Sequence, residues 1–222
     1  MPDIGLFDVI GPCMVGPSSS HTAGACRMAH TAQTIFGEVP GKVVFKLYGS
    51  FADTYRGHGT DKALVGGAMG FETFDPRIRD SLTIARAHGL DYTFIEDHET
   101  DAGHPNTVLM TLTNRAGDHT LTVKAQSIGG GKIRVICLDG IDVDFSGELP
   151  TLIIKHAYVP GVISYFTGIL GDSHVNIFSM RCYLDEGEKM AYSIIETDRR
   201  LSDDIINGIK CNKLIIKTIL IQ

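Results

Sequence analysis

The chain has 222 residues, of which 43% are hydrophobic and 21% are charged. These proportions predict a soluble globular protein of one or two domains whose core forms without disulfides or metals. The net charge of −6 and the absence of a Lys/Arg-rich run argue against a nucleic-acid-binding surface. No apolar run approaches the ~18 residues of a membrane span, and Met1 to Val9 lack the basic and apolar regions of a signal peptide. We therefore expect a cytoplasmic protein with neither a membrane nor a nucleic-acid partner.

Cysteines are few, odd in number and scattered, and no CxxC pair is present. The five are Cys13, Cys26, Cys137, Cys182 and Cys211. This pattern predicts neither a disulfide framework nor an internal zinc site, so we expect no metal ligands in this chain. We interpret Cys13 as a small buried apolar residue, with a reactive thiol as the alternative.

A polar run over residues 18–22 precedes an amphipathic helix. We call Ser18, Ser19, Ser20, His21 and Thr22 the serine cluster. Apolar side chains recur at helical spacing from Ala25 to Phe36, and Gly37 stands where a helix-ending glycine belongs. The cluster is thus predicted at a helix N-terminus, where unpaired N–H groups and the helix dipole favour an anion such as a carboxylate. The alternative is that one serine caps the helix and the others are ordinary loop.

A second unusual loop, over residues 49–62, follows a strand predicted over 42–48. Gly57 and Gly59 flank His58, which leaves the imidazole few local neighbours. Thr60 or Asp61 is expected to cap the next helix, over 62–69. A helix N-terminus favours the neutral imidazole that a general base requires. A turn residue that hydrogen-bonds its own loop is the alternative.

The next elements complete a first domain. A helix is predicted over 75–88, and strands are predicted over 90–95, 108–113, 119–125, 133–138 and 141–145. The glycine-rich segment 127–132 lacks the Lys-Ser/Thr ending of a P-loop, so we interpret it as a bulge or crossing point between strands. Residues 146–150 are typical of a linker, and we assign the domains to residues 1–147 and 148–222.

The last domain has the element order βαββαβ, which is typical of a ferredoxin-like fold. Strands are predicted over 151–158, 175–184, 189–196 and 213–221, and helices over 162–170 and from about 202 to 210. The whole chain is therefore expected to have an α+β fold, with a mixed α/β domain followed by a ferredoxin-like one.

Several segments together resemble a known family. These are Gly-Pro-Ser-Ser-Ser-His-Thr-Ala-Gly at 16–24, Tyr-Gly-Ser at 48–50, Gly-His-Gly-Thr-Asp at 57–61 and Ser-Ile-Gly-Gly-Gly at 127–131. Over essentially its whole length the chain resembles the β chains of two-subunit iron–sulfur L-serine dehydratases. Its first domain is also similar to the allosteric substrate-binding domain of some phosphoglycerate dehydrogenases. The last domain is similar to an ACT domain, a module that binds amino acids and pairs with copies of itself, and Pro160 and Gly161 match its effector loop.

The resemblance implies the conversion of L-serine to pyruvate and ammonia. It also implies a [4Fe–4S] cluster whose open iron acts as a Lewis acid on the substrate hydroxyl. Such a cluster needs cysteine thiolates, and this chain has no plausible set, so we expect a separate α chain to hold it. The expected partners are that α chain, L-serine as substrate or effector, and a second copy that pairs through the ACT domain.

The resemblance also implies roles for particular residues. His58 is expected to be the base that removes the α-proton, with Thr60 orienting it or binding substrate. The serine cluster is expected to hold the substrate carboxylate, and Asn106, with His104, is a weaker candidate for substrate binding. One alternative is a purely regulatory amino-acid-binding subunit. A stand-alone serine hydrolase is disfavoured, since adjacent Ser20 and His21 point apart and no Gly-x-Ser-x-Gly elbow is present.

Overall fold

In the computed structural model, residues 13–185, 187 and 189–221 are described. The chain divides into two compact units, residues 1–140 and 141–222, whereas the sequence analysis placed the boundary at 147/148. Helices and strands occur in both units, which confirms the α+β class. None of the helices in the described residues is long and apolar enough to cross a membrane. The segment 1–9, in which no signal peptide is expected, lies outside the described residues.

The described strands of the first unit form one mixed sheet. A π-helical turn, Ser19–Gly24, comes first. It is followed by α1 (Ala25–Phe36), β1 (Lys42–Tyr48), α2 (Ser50–Thr54), α3 (Thr60–Ala68), a 3₁₀ turn (Pro76–Asp80), α4 (Ser81–Ala87), β2 (Asp91–Asp97), β3 (Thr107–Thr113), β4 (Thr120–Gly129) and β5 (Lys132–Leu138). The sheet order within this unit is β2-β1-β3-β4-β5. The β1–β2 pair is parallel and the other pairs are antiparallel.

The amphipathic helix predicted over 25–36 is confirmed as α1. Its apolar face, which includes Met28, Ile35 and Phe36, is buried, and Gly37 ends it in the left-handed conformation at φ 88°. Helix α3 lies very close to α1, since a Cβ on Gly67 would come within 2.2 Å of the Cys26 carbonyl oxygen. The packing of α1 against α3 fixes the positions of the two segments that precede these helices, the serine cluster and the His58 turn.

Three local predictions need correction. Neither Thr60 nor Asp61 caps α3, because Gly59, in the left-handed conformation at φ 73°, occupies the N-cap position without a side-chain hydrogen bond. The helix predicted over 75–88 is divided at Asp80, whose φ of −113° is not helical. Cys13 is exposed rather than buried.

Within the second unit, β6 (Ile141–Phe145) precedes the βαββαβ arrangement. That arrangement comprises β7 (Thr151–Ala157), α5 (Val162–Asp172), β8 (Ile177–Asp185), β9 (Met190–Thr197), α6 (Asp203–Lys210) and β10 (Ile215–Ile221). The strand order β10-β7-β9-β8, with antiparallel neighbours, is the ferredoxin-like order that was predicted. Leu152, Phe166 and Ile195 belong to its buried core.

A histidine in the core of this second unit was not anticipated from the sequence. His156 is 1% exposed, and its Nε2 lies 2.9 Å from Ser193 Oγ. Its Nδ1 lies 2.9 Å from the Ala157 carbonyl oxygen. Because a carbonyl only accepts, Nδ1 carries the proton and Nε2 accepts from the Ser193 hydroxyl.

Candidate active site

The serine cluster forms a wide turn rather than the first turn of an α-helix. Ser18 is the N-cap of the π-helical turn, and its Oγ accepts a hydrogen bond from the His21 backbone N–H at 3.1 Å. Ser18 to His21 are half-buried, whereas Thr22 is buried. The capping role considered for one serine therefore belongs to Ser18. Ser19 and Ser20 lie within the turn itself.

His21 is held on both sides of its ring. Its Nε2 lies 3.2 Å from Ser50 Oγ at the start of α2, and its Nδ1 lies 3.5 Å from Ser18 Oγ. The ring also packs edge-on against Phe51. Burial, and secondly the neighbouring His58, lower the pKa of His21 below its ordinary value. A neutral, tethered imidazole is the result.

His58 contrasts with His21 because its ring is exposed. Within the described part of the chain, no side chain or carbonyl hydrogen-bonds its imidazole. Its backbone is fixed instead: its N–H donates to the Thr54 carbonyl at 3.2 Å, and its carbonyl accepts from Thr22 Oγ1 at 3.3 Å. The ring centroids of His21 and His58 are 5.0 Å apart. The two loops singled out in the sequence therefore meet.

A cavity of about 370 Å³ opens beside His58. Its lining comprises Val15, Gly16, Pro17, Thr22, Arg56, Gly57, His58, Gly59, Lys62, Ile78 and Arg79. Of the serine cluster, Thr22 alone contributes to the lining in the described residues. The segment 15–17, the glycine-flanked turn and the 3₁₀ turn thus line a space of small-molecule size. The three cationic side chains on its wall are Arg56, Lys62 and Arg79.

Two other predicted site residues do not reach this cavity. Thr60 is completely buried, and its Oγ1 has no hydrogen-bond partner in the described residues. Asn106 has a buried Oδ1, likewise without a described partner. Its carbonyl oxygen accepts from the Ser127 backbone N–H at 2.9 Å. Ser127 Oγ in turn donates to the Ser20 carbonyl at 3.0 Å, so Asn106 adjoins the serine cluster through Ser127.

A second cavity, of about 480 Å³, lies in the same unit. It is lined by Tyr48, Gly49 and residues 98–105. His104 Nδ1 accepts a hydrogen bond from the Asn106 backbone N–H at 3.2 Å, so the ring proton is on Nε2. The cavity provides a second place where a small polar molecule can bind, and His58 is not among its lining residues.

The predicted effector-loop residues lie between β7 and α5. Pro160 and Gly161 are exposed, and Gly161 is the N-cap of α5 in the left-handed conformation, at φ 93°. No side chain caps this helix. The loop therefore presents open backbone at a helix N-terminus.

The described residues do not fit an iron–sulfur cluster. They contain no group of three or more His, Cys, Asp or Glu side chains placed to hold a metal ion. Cys26, close in sequence to the serine cluster, is buried and its thiol donates to the Phe71 carbonyl. Burial raises the pKa of the Cys26 thiol to about 12, which opposes the thiolate form that iron requires.

The side chains of the site that were not identified from the sequence include two serines and two cations. Ser50 and Ser127 tether the serine cluster, and Lys62 and Arg79 line the cavity with His58. Ser50 and Ser127 do occur in the quoted motifs, which was the available signal. Lys62 and Arg79 had no such signal, because ordinary surface cations have the same local sequence.

A family model and the sequences of individual relatives point to the same protein family. A family model described as serine dehydratase beta chain matches residues 6–135. The chain is 40% identical over 209 residues to the L-serine dehydratase β chain of Peptoniphilus asaccharolyticus, with 94% of each chain covered. It is 40% identical over 202 residues to the probable L-serine dehydratase β chain of Bacillus subtilis, with 91% of this chain and 90% of that one covered. The chain is also 28% identical over 151 residues to the D-3-phosphoglycerate dehydrogenase of Bacillus subtilis. This match covers 27% of the dehydrogenase.

Proposed function

The chain belongs to the serine dehydratase β-chain family, and on that premise we propose that it is one subunit of an L-serine ammonia-lyase. The substrate is L-serine, and the products are pyruvate and ammonia. The relatives are named as β chains, which supports an α chain as the partner. A cytoplasmic location stays a prediction from the sequence.

The cofactor belongs, in this proposal, to the α chain. A [4Fe–4S] cluster there would supply the Lewis acid that draws electrons from the substrate hydroxyl. The described residues of this chain do not fit such a cluster. What this chain contributes is binding, orientation and proton transfer.

The reaction needs a base close to the α-carbon of serine. The base takes the α-proton, the electron pair forms a carbon–carbon double bond, and the β-hydroxyl leaves as hydroxide, which takes up a proton from the protonated base or from solvent to become water. The resulting 2-aminoacrylate takes up a proton to become an imine, which water hydrolyses to pyruvate and ammonia. His58 is the proposed base, and a positioned base typically accelerates such a step by about 10²–10⁴-fold.

The single observation that carries this assignment is the difference between the two histidines. Both ring nitrogens of His21 lie near serine hydroxyls, whereas the His58 ring is exposed in the cavity with no described hydrogen-bond partner. A general base needs an unoccupied nitrogen within reach of the substrate. His21 is therefore the better positioning residue and His58 the better base.

The remaining predicted residues have supporting roles in this proposal. Of the serine cluster, Thr22 lines the cavity, and its Oγ1 donates to the His58 carbonyl. Thr60 is completely buried just after the glycine-flanked turn, and its backbone N–H donates to the Tyr55 carbonyl that precedes the turn. Asn106 supports the cluster through Ser127. Direct contact with substrate is proposed for His58 and Thr22, since both line the cavity.

Reconstitution tests the proposal. This chain and its candidate α chain are co-purified anaerobically, and L-serine deamination is followed as pyruvate formation with and without this chain. We expect activity only when both chains are present. Full activity of the α chain alone would contradict a catalytic contribution from this chain.

A regulatory role is the second candidate function. The separate cavity of about 480 Å³ and the exposed loop at Pro160 and Gly161 favour it. In this alternative the ferredoxin-like unit is an ACT domain that binds an amino acid or pairs with a second copy, and all chemistry is in the α chain. His58→Gln would then change the cooperativity of the reconstituted enzyme for L-serine but leave its maximal turnover intact.

A further inference from the structure

Three cationic side chains, Arg56, Lys62 and Arg79, line the cavity beside His58. Asp61 interacts electrostatically with Lys62 and Arg56. We propose that Lys62 and Arg79 bind the carboxylate of the amino-acid substrate, an inference that rests on the proposed function. The hydroxyls of the serine cluster were predicted from the sequence to have this role. Lys62 comes from the first turn of α3 and Arg79 from the 3₁₀ turn, and both line the cavity that contains His58.

The chemistry of an amino acid requires the carboxylate group and the base to share one cavity. The α-carbon carries both the proton that is removed and the carboxylate, so the group that binds the carboxylate lies within a few ångströms of the base. Ser18, Ser19 and Ser20 are not part of the cavity wall, although they adjoin Thr22 in sequence. The residues that satisfy the requirement are those that line the space next to His58.

Several neutral hydrogen-bond donors of this wall, and of the α3 N-terminus beside it, are already engaged. Thr22 Oγ1 donates to the His58 carbonyl oxygen. The Thr60 backbone N–H donates to the Tyr55 carbonyl at 2.9 Å, and the Lys62 backbone N–H donates to Asp61 Oδ1 at 2.8 Å. The N-terminus of α3 therefore offers few free N–H groups, and the cationic side chains are the remaining strong donors.

The three cations of the wall are not equivalent. Arg56 lies 3.9 Å from Glu96 and stacks over the Tyr55 ring. Lys62 and Arg79 are exposed, and in the described residues neither forms an ion pair. A carboxylate bound between them would gain charge-assisted hydrogen bonds, which are roughly twice as strong as neutral ones. Arg79 also offers a planar fork that matches a carboxylate.

The test removes the two charges in the reconstituted two-chain enzyme and compares the kinetics of this variant with those of the wild type and of a control variant. In the variant K62Q/R79Q, the KM for L-serine is expected to rise at least about 10-fold, the low end for losing a charge-assisted hydrogen bond. The kcat should change less than about threefold, because the base is retained. Arg86→Gln, which removes an exposed cation from α4 that is not in the cavity wall, is the matched control. Arg79→Lys in the wild-type background should keep most of the affinity.

L-Serinamide shows whether the carboxylate itself is recognised. It keeps the amino and hydroxyl groups but has no carboxylate, so its inhibition constant should be the same for wild type and K62Q/R79Q. An unchanged KM for L-serine, or an equal loss of affinity for serinamide, would overturn the inference. Loss of α-chain co-purification in the variant would also overturn it and would assign the two cations to the subunit interface. A wild-type enzyme that does not deaminate serine would instead refute the proposed function, and the inference with it.

Discussion

The imidazole rings of His21 and His58 lie 5.0 Å apart, yet one is tethered and the other is open. Because two protonated imidazoles at this distance would repel each other, protonation of one ring opposes protonation of the other. The lowered pKa of His21, caused by burial and then by His58, agrees with this coupling. The neutral form of His21 is therefore favoured beside His58, the proposed base.

Replacing His58 should remove the base without disturbing the fold. In the reconstituted enzyme, His58→Ala is expected to lower turnover of L-serine by at least about 10², the low end of the contribution of a general base. His58→Gln should give a similar loss, since an amide does not accept the α-proton. The matched control is His88→Gln, which changes an exposed histidine at the end of α4. A change in cooperativity without loss of maximal turnover would support the regulatory alternative.

The stability of the first unit should depend on pH through His21. Its pKa in the folded chain is below the ordinary value of about 6.5, so at mildly acidic pH the unfolded chain binds the proton more readily. The stabilisation that neutral His21 contributes is thus fully present above the ordinary pKa of about 6.5. It is lost as the pH falls through the lower pKa that His21 has in the folded chain. Urea unfolding at about pH 7.5 and about pH 5.5 measures the loss. His21→Gln should reduce the difference between the two conditions, and an undiminished difference would contradict the prediction.

The regular elements of the fold could be predicted because their signals are local. The apolar spacing from Ala25 to Phe36 gave α1, and the alternation and turns of the last domain gave a ferredoxin-like unit. The π-helical turn and α2 were missed, since five or six residues do not show a helical period. Gly59 was read as a flexible flank of His58, although its left-handed backbone makes it the N-cap of α3.

The site was predicted less completely because its contacts are distant in sequence. Ser50 reaches His21 from 29 residues away, and Ser127 reaches Ser20 from 107 residues away. A single sequence does not encode which surface cation faces a cavity, so Arg79 appeared no different from Arg77 or Arg86. Both the serine cluster and the His58 turn were singled out from the sequence, because each places a histidine at the predicted N-terminus of a helix.

Two helical glycines should respond oppositely to the same substitution. A Cβ at Gly67 would lie 2.2 Å from the Cys26 carbonyl oxygen, and backbone cannot move aside cheaply, so Gly67→Ala should destabilise the chain by about 1–3 kcal/mol. A Cβ at Gly168, in α5, would meet nothing within 4 Å. Gly168→Ala should therefore stabilise by about 0.5–1 kcal/mol through helix propensity. Denaturant unfolding of both variants provides the comparison, and destabilisation by both would show that the close approach of α1 and α3 is not the cause.

The buried pair of His156 and Ser193 should behave as a unit. Ser193→Ala leaves His156 Nε2 without its donor in a site that is 1% exposed, which should destabilise the chain by about 1–3 kcal/mol in urea unfolding. Ser164→Ala, at an exposed position of α5, is the control and should have little effect. Adding His156→Leu to Ser193→Ala removes the unsatisfied nitrogen, so the double variant should be more stable than the sum of the single effects predicts. Simple additivity of the two substitutions would mean that the hydrogen bond contributes nothing to the stability of this unit.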